Sequence, residues 1–209
     1  MKVIPGKLYV IIILLFAINP AFSQLKLYQE NGIVKVRSIE IFLEKNNFDY
    51  AIAAQSASPR MTDGRVISCL VKQGGSWFLF QISEPAVVSS VNALNAKPVV
   101  KQVNLSELQA DSLLKVIRPE EGMKYSQEEL YALPSTCNAV YKGKKVVFGG
   151  VSDAAKYHLV EKKGGDVISL SFYAADTYIR NCLPLNPDFK ILTGMVNTFE
   201  KLTSLATSF

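Results

Sequence analysis

The sequence predicts an α+β domain: an antiparallel sheet built from long hairpins turned at Gly-Gly pairs, with helices packed on one face or end. Three observations lead there. Residues 66–83 and 155–174 each alternate with period two on both sides of a Gly-Gly pair. Two serine-led capping boxes stand between these stretches, and the carboxy terminus carries apolar residues at helical spacing.

The chain opens MKVIPGK and then runs LYVIIILLFAI from Leu8 to Ile18 before Asn19-Pro20. A basic start, a short apolar run and small residues at Ala21 and Ser23 form a signal-peptide pattern, so residues 1–23 are expected to be removed and Gln24 to become the first residue. A retained anchor is disfavoured, because the run is shorter than the roughly 20 residues that span a bilayer. No cysteine stands near the junction to carry a lipid. The mature protein, residues 24–209, is then an exported, periplasmic or extracellular domain with no stable membrane span. Removing Lys2 and Lys7 leaves 21 basic against 18 acidic residues, so the net charge falls from +5 to +3. That mild surplus is interspersed along the chain, and with no dense basic stripe it argues against nucleic acid as a partner.

Gly32 to Asn47 reads as a strand (IVKV) followed by a helix ending in two asparagines, and FDYAIAAQS, 48–56, as a further strand. SPRMTDGR is a polar loop. In 66–83, Gly74 and Gly75 occupy the turn, because glycine reaches the positive φ that tight hairpins need. Counting outward sets Val71 opposite Phe78, Cys69 opposite Phe80 and Ile67 opposite Ile82, so one face is wholly apolar. The other face mixes Val66, Leu70, Trp77 and Leu79 with Ser68, Lys72, Gln81 and Ser83, and is expected to be only partly covered. A slip of one residue would destroy this agreement.

NALNAKP, 92–98, is the best linker candidate and marks a possible two-part division of the otherwise single domain. Ser106-Glu107-Leu108-Gln109 and Ser126-Gln127-Glu128-Glu129 each start a helix, the first running to Ile117 and the second stopping at Leu133 before Pro134. Residues 136–149 read as two short strands. The second long hairpin turns at Gly164-Gly165, with Lys163 opposite Asp166, Leu159 opposite Leu170 and Tyr157 opposite Phe172; His158 falls on the other face, opposite Ser171. The echo of LVKQGG in LVEKKGG hints at two related halves, although Gly-Gly hairpins also arise independently. Residues 175–183 form a helical turn or two ended by Pro184. Asn186 caps a last helix whose first residue is Pro187 and whose stripe is Phe189, Leu192, Val196, Phe199 and Ala206, despite the local cost of Gly194.

The three cysteines are Cys69, Cys137 and Cys182. Cys69 sits on the apolar face and packs as a small hydrophobe. In an oxidising compartment Cys137 and Cys182 then pair across a loop of about 45 residues, a closure worth roughly 3–4 kcal/mol; two unbridged cysteines are the other possibility.

An enzyme must use the single histidine. The thiol candidates are Cys137 or Cys69 with His158, oriented by Asn138 or Asp176. A mid-strand thiol and a strand histidine are poor settings for such a pair, and no G-x-S-x-G elbow is present. Glu120-Glu121 lies in a loop and Glu128-Glu129 in a capping box, so neither suggests glycoside chemistry. One histidine and scattered cysteines do not make a metal site, the Gly-Gly pairs are turns rather than phosphate loops, and no cofactor is implied. Lys142, Lys144 and Lys145, with Lys162 and Lys163 on the other hairpin, form a basic patch if the two tips meet, although lysines at strand edges also keep sheets soluble.

The resulting expectation is an exported non-catalytic binding or interaction domain. Its contact patch is Val66, Leu70, Trp77 and Leu79, facing an unknown protein or a small apolar ligand, unless the carboxy-terminal helix covers them. A small apolar-ligand carrier with an enclosed pocket is one alternative. A cysteine-dependent hydrolase or transferase is the less favoured one.

Overall fold

The computed structural model describes residues 28–30, 33–35, 39–57, 65–84, 98–141, 144–147, 154–182, 184 and 186–207. The expected leader, residues 1–23, its expected junction at Gln24, Lys142, Gly149 and all of the linker candidate 92–98 except Pro98 lie outside the described residues.

The strands are β1 (Tyr28–Glu30), β2 (Ile33–Lys35), β3 (Tyr50–Ala57), β4 (Arg65–Gln73), β5 (Ser76–Glu84), β6 (Val99–Leu105), β7 (Asn138–Tyr141), β8 (Lys144–Val147), β9 (Lys156–Lys163) and β10 (Asp166–Tyr173). The helices, in chain order, are α1 (Ile39–Lys45), α2 (Glu107–Ile117), α3 (Pro119–Gly122), α4 (Gln127–Thr136), α5 (Ala175–Cys182) and α6 (Lys190–Thr207). Six strands form one antiparallel sheet in the order β10-β9-β3-β4-β5-β6, while β1–β2 and β7–β8 are separate ribbons. The fold is α+β.

The hairpin β4–β5 pairs Val71 with Phe78, Cys69 with Phe80 and Ile67 with Ile82, around Gly74 (φ 56°) and Gly75 (φ 81°). The hairpin β9–β10 pairs Tyr157 with Phe172 and His158 with Ser171, around Gly164 (φ 58°). Strand β3 lies between them: Tyr50 faces Lys72 on one side and Lys163 on the other, so both Gly-Gly turns sit at one end of the sheet. Asp49 ties the turns together. Its carboxylate accepts from Gly74 N at 2.9 Å and its carbonyl from Gly164 N at 3.2 Å.

Both faces of the sheet are covered. Ile52, Leu70, Trp77, Leu79, Leu159, Leu170 and Phe172 pack against α2–α6, whereas Ala51, Ala53, Ile67, Cys69, Phe80 and Val160 share a second core with Ile39, Phe42 and Leu43 of α1. Helices therefore lie on two faces, not one. The reason is visible in α1, where an apolar stripe at Ile39, Phe42 and Leu43 is buried on the face left by the longer helices.

The capping boxes close as their spacing requires. Ser106 Oγ accepts from Gln109 N at 3.3 Å, Ser126 Oγ accepts from Glu129 N at 3.2 Å, and each fourth residue accepts the serine amide in return. The same bonds hold the Glu129 carboxyl below the usual carboxylate range. Helix α4 does not stop at Leu133 but continues through Pro134 to Thr136. A proline forfeits one intrahelical bond without ending the helix, and the extra turn delivers Cys137 to its partner on α5. At the carboxy terminus Pro187–Phe189 is a 3₁₀ turn capped by Asn186, whose side chain accepts from Asp188 N at 2.9 Å, and α6 proper begins at Lys190.

Gly194 has a reason that the α6 stripe did not reveal. A Cβ there would stand 2.6 Å from the backbone carbonyl oxygen of Glu121, so the glycine lets α3 lie directly on α6. Thr198 Oγ1 donates to Arg118 O at 3.0 Å in the same contact. Helix propensity alone makes Gly194→Ala stabilising by about 1 kcal/mol. The close approach reverses the sign, and we expect a loss of about 1–3 kcal/mol in urea unfolding. A gain would refute the contact.

Candidate functional site

The mixed face of β4–β5 is not a contact patch. Leu70 and Leu79 are fully buried, Trp77 is 6 % exposed and only Val66 is half-exposed, because the helical layer lies over them. Tyr50 packs edge-on to the Trp77 ring at 5.8 Å, and Lys72 Nζ sits 5.2 Å over it while pairing with Glu107 at 3.0 Å. The Tyr50 hydroxyl donates to Glu161 Oε1 at 3.1 Å; burial and the neighbouring carboxylate raise its pKa, so the phenol stays protonated.

The proposed thiol and imidazole are not brought together. Cys137 is bonded to Cys182, with Cα atoms 5.4 Å apart, and both sit in the core on the helical side. A sulfur in a disulfide is not a thiolate. Cys69 is buried and its thiol pKa is pushed up by that burial, the opposite of what a nucleophile needs. His158 lies on the α1 side, where Nε2 is 3.0 Å from Glu40 Oε1 and 3.1 Å from Ser169 Oγ, and Ser169 Oγ donates to the same Glu40 oxygen at 2.6 Å. Serine and carboxylate therefore meet at one ring nitrogen, whereas a proton relay needs them on opposite nitrogens. The cluster pins α1 to β9 and β10. Sequence reasoning missed Glu40, which lies 118 residues from His158 and carries no local signal. Asp176, a candidate orienting residue, instead accepts from the Tyr157 hydroxyl, whose pKa is raised by burial and by this bond. Asn138 lies on β7, whose side chains are not described.

Of the five lysines, Lys142 lies outside the described residues, and Lys162 and Lys163 do not share a face. Lys162 is buried and its Nζ donates to Leu43 O at 3.2 Å, near the carbonyl end of α1, whereas Lys163 is exposed and lies 3.6 Å from Glu161. Successive strand residues leave opposite faces, which separates the pair. Lys144 and Lys145 are on β8. Among the acid pairs, Glu121 is bound to Arg118 at 2.9 Å and Glu129 caps α4.

A cleft is present where no sequence feature marked one. It has a volume of about 810 Å³ and lies between the α3–α4 segment and the start of α6. Tyr125, Leu133 and Ile191 supply apolar wall, Lys124, Glu129 and Lys190 supply charge, and Gly194 forms part of the lining. Thr193 lines it too, with a hydroxyl out of solvent contact that has no hydrogen-bond partner. Gly194 lets α3 lie against α6 on one side of the cleft, the Ser126 cap starts α4 beyond it, and only the packed helices reveal the space.

Among the described residues no cluster of three or more His, Cys, Asp or Glu is placed to hold a metal, and no helix is long and apolar enough to cross a membrane. Compared with known proteins, the chain matches no family model and no curated protein sequence.

Proposed function

We propose that the protein is an exported, non-catalytic binding domain that takes a small ligand, with an apolar body and polar ends, in the cleft between α4 and α6. The observation that carries this reading is the cleft itself: its volume of about 810 Å³ lies within the range of small-molecule sites, and it combines aromatic and aliphatic wall with a few charged groups. Export rests on the leader pattern, and the Cys137–Cys182 disulfide is compatible with an oxidising compartment. The charged rim favours an amphipathic ligand over the purely apolar cargo of a carrier.

The test is native mass spectrometry of the protein taken from its exported fraction, beside an Ala132→Trp variant. Ala132 is exposed and lines the cleft, so the indole fills ligand space without entering the core. The wild-type protein should carry an added mass that leaves on denaturation, and the variant should bind about tenfold or more weakly at unchanged Tm. An adduct that survives Ala132→Trp places the ligand elsewhere. A wild-type protein with neither an adduct nor a thermal shift in a small-molecule screen removes the reading.

A further inference from the structure

The sheet ends in two edge strands whose outer backbone groups are met differently. On β10, the Gln127 side chain at the start of α4 reaches across and imitates a neighbouring strand: Oε1 accepts from Ser171 N at 2.6 Å and Nε2 donates to Ser171 O at 2.9 Å. That amide occupies the edge near the C-terminal end of β10 and blocks addition of another strand there. At the other end, no strand among the described residues lies beyond β6. The segment VVKQVNL contains one charge and no proline, and Val99 and Val100 are 59 % and 36 % exposed. It lacks the lysine-rich, proline-containing or bulged design that usually protects an edge.

The direction of its backbone groups follows from the hairpin. Two-residue turns with positive φ at both glycines make the flanking pair, Gln73 and Ser76, a hydrogen-bonded pair, and bonded and non-bonded pairs then alternate. Phe78, Phe80 and Ile82 accordingly bond to β4, and Trp77, Leu79, Gln81 and Ser83 bond to β6 through Leu105, Val103, Lys101 and Val99. The N–H and C=O groups of Val100, Gln102 and Asn104 therefore point outward.

We infer that two copies of the protein form a two-fold dimer by antiparallel pairing of β6 with itself, centred on Gln102. This register is self-complementary. It places Gln102 opposite Gln102 and Val100 opposite Asn104 of the second copy, so every outward backbone group of the strand meets a partner in a bonded pair. Between them, Val99 meets Leu105 and Lys101 meets Val103, which keeps the single charge from facing its own copy and brings the exposed Val99 against an aliphatic neighbour. Centring on Val100 or Asn104 instead leaves part of the strand unpaired. The sheet becomes a continuous twelve-stranded one across the axis, given six strands in each copy.

Sedimentation velocity on the exported protein, from low micromolar to a few hundred micromolar, reads the association directly. A concentration-dependent monomer–dimer equilibrium is expected. Gln102→Pro removes only an outward N–H and no bond to β5, and should weaken association about tenfold or more. Gln102→Lys and Gln102→Glu each set like charges across the axis and should be monomeric alone, yet form a heterodimer when mixed. Circular dichroism confirms that each variant is folded, and the charge pair decides the matter if the proline variant is not. A wild-type protein that stays monomeric throughout overturns the inference, as does a dimer that Gln102→Lys leaves intact or charge variants that fail to recombine. Neither outcome bears on the cleft.

Discussion

Replacing Cys137 and Cys182 together by alanine should lower the unfolding free energy by about 4 kcal/mol. The bridge joins the residue after α4 to the last residue of α5 and spans 45 residues that include β7, β8, β9 and β10. In the unfolded chain that loop is free to open when the bridge is absent, and the lost constraint scales with the logarithm of its length. Both half-cystines are also buried, at the junction of α4, α5 and the helical core, so the substitution removes packing as well. Against a typical stability of about 5–15 kcal/mol the loss is a large share of the total. Urea unfolding of the oxidised wild type and the double variant, each fitted with its own m, reads the difference from the unfolding free energies extrapolated to water. Thiol labelling of the denatured protein should find one cysteine before reduction, Cys69, and three afterwards. A stability difference under about 1 kcal/mol would show that the bridge closes a loop already constrained in the unfolded state.

Leu70→Ala is the second large expected effect, at about 2–5 kcal/mol. Leu70 is fully buried in the helical-side core, opposite Ile52 on β3 and Leu79 on β5. Truncation leaves a cavity beneath α6 that neighbouring strands cannot close without breaking their pairing. A residue on an exposed patch would respond within about 0.5 kcal/mol, so the same measurement separates a core position from a contact surface. Thermal and urea unfolding of Leu70→Ala beside Val66→Ala make the comparison internal, since Val66 is on the same face but half-exposed.

That comparison also shows where reading the sequence ran out. Alternation in 66–83 identified two faces, and one of them, carrying Cys69 and Phe80, is uniformly apolar. The other looked half-wet because Ser68, Lys72 and Gln81 interrupt it. Packing resolves the ambiguity differently for each polar residue. Ser68 is small enough to be buried beneath the helices, and Lys72 lays its stem across Trp77 and carries its ammonium out to Glu107. Polarity at a position therefore did not report exposure, because a long side chain can be covered along its length and solvated at its tip. Lys162 shows the converse. It read as surface charge, but the α1 carbonyl of Leu43 meets its ammonium within the protein. The cleft escaped notice for a related reason: its walls come from residues 121 to 133 and 187 to 197, which are distant along the chain and carry no common pattern.

The features legible in the residues alone are local. Glycines that reach positive φ specify the hairpin turns, the two-residue period specifies which residues face each other across them, and serine followed by an acid or amide three positions later specifies where helices begin. Each of these rests on contacts between residues close along the chain, whose geometry the backbone fixes almost without alternatives. Packing across the whole chain set the order β10-β9-β3-β4-β5-β6, the burial of both sheet faces, the meeting of Glu40 with His158, and the cleft beside α6. Those depend on which apolar surfaces cover one another, a choice made by the summed burial of side chains far apart in sequence, and no short window of residues carries that sum.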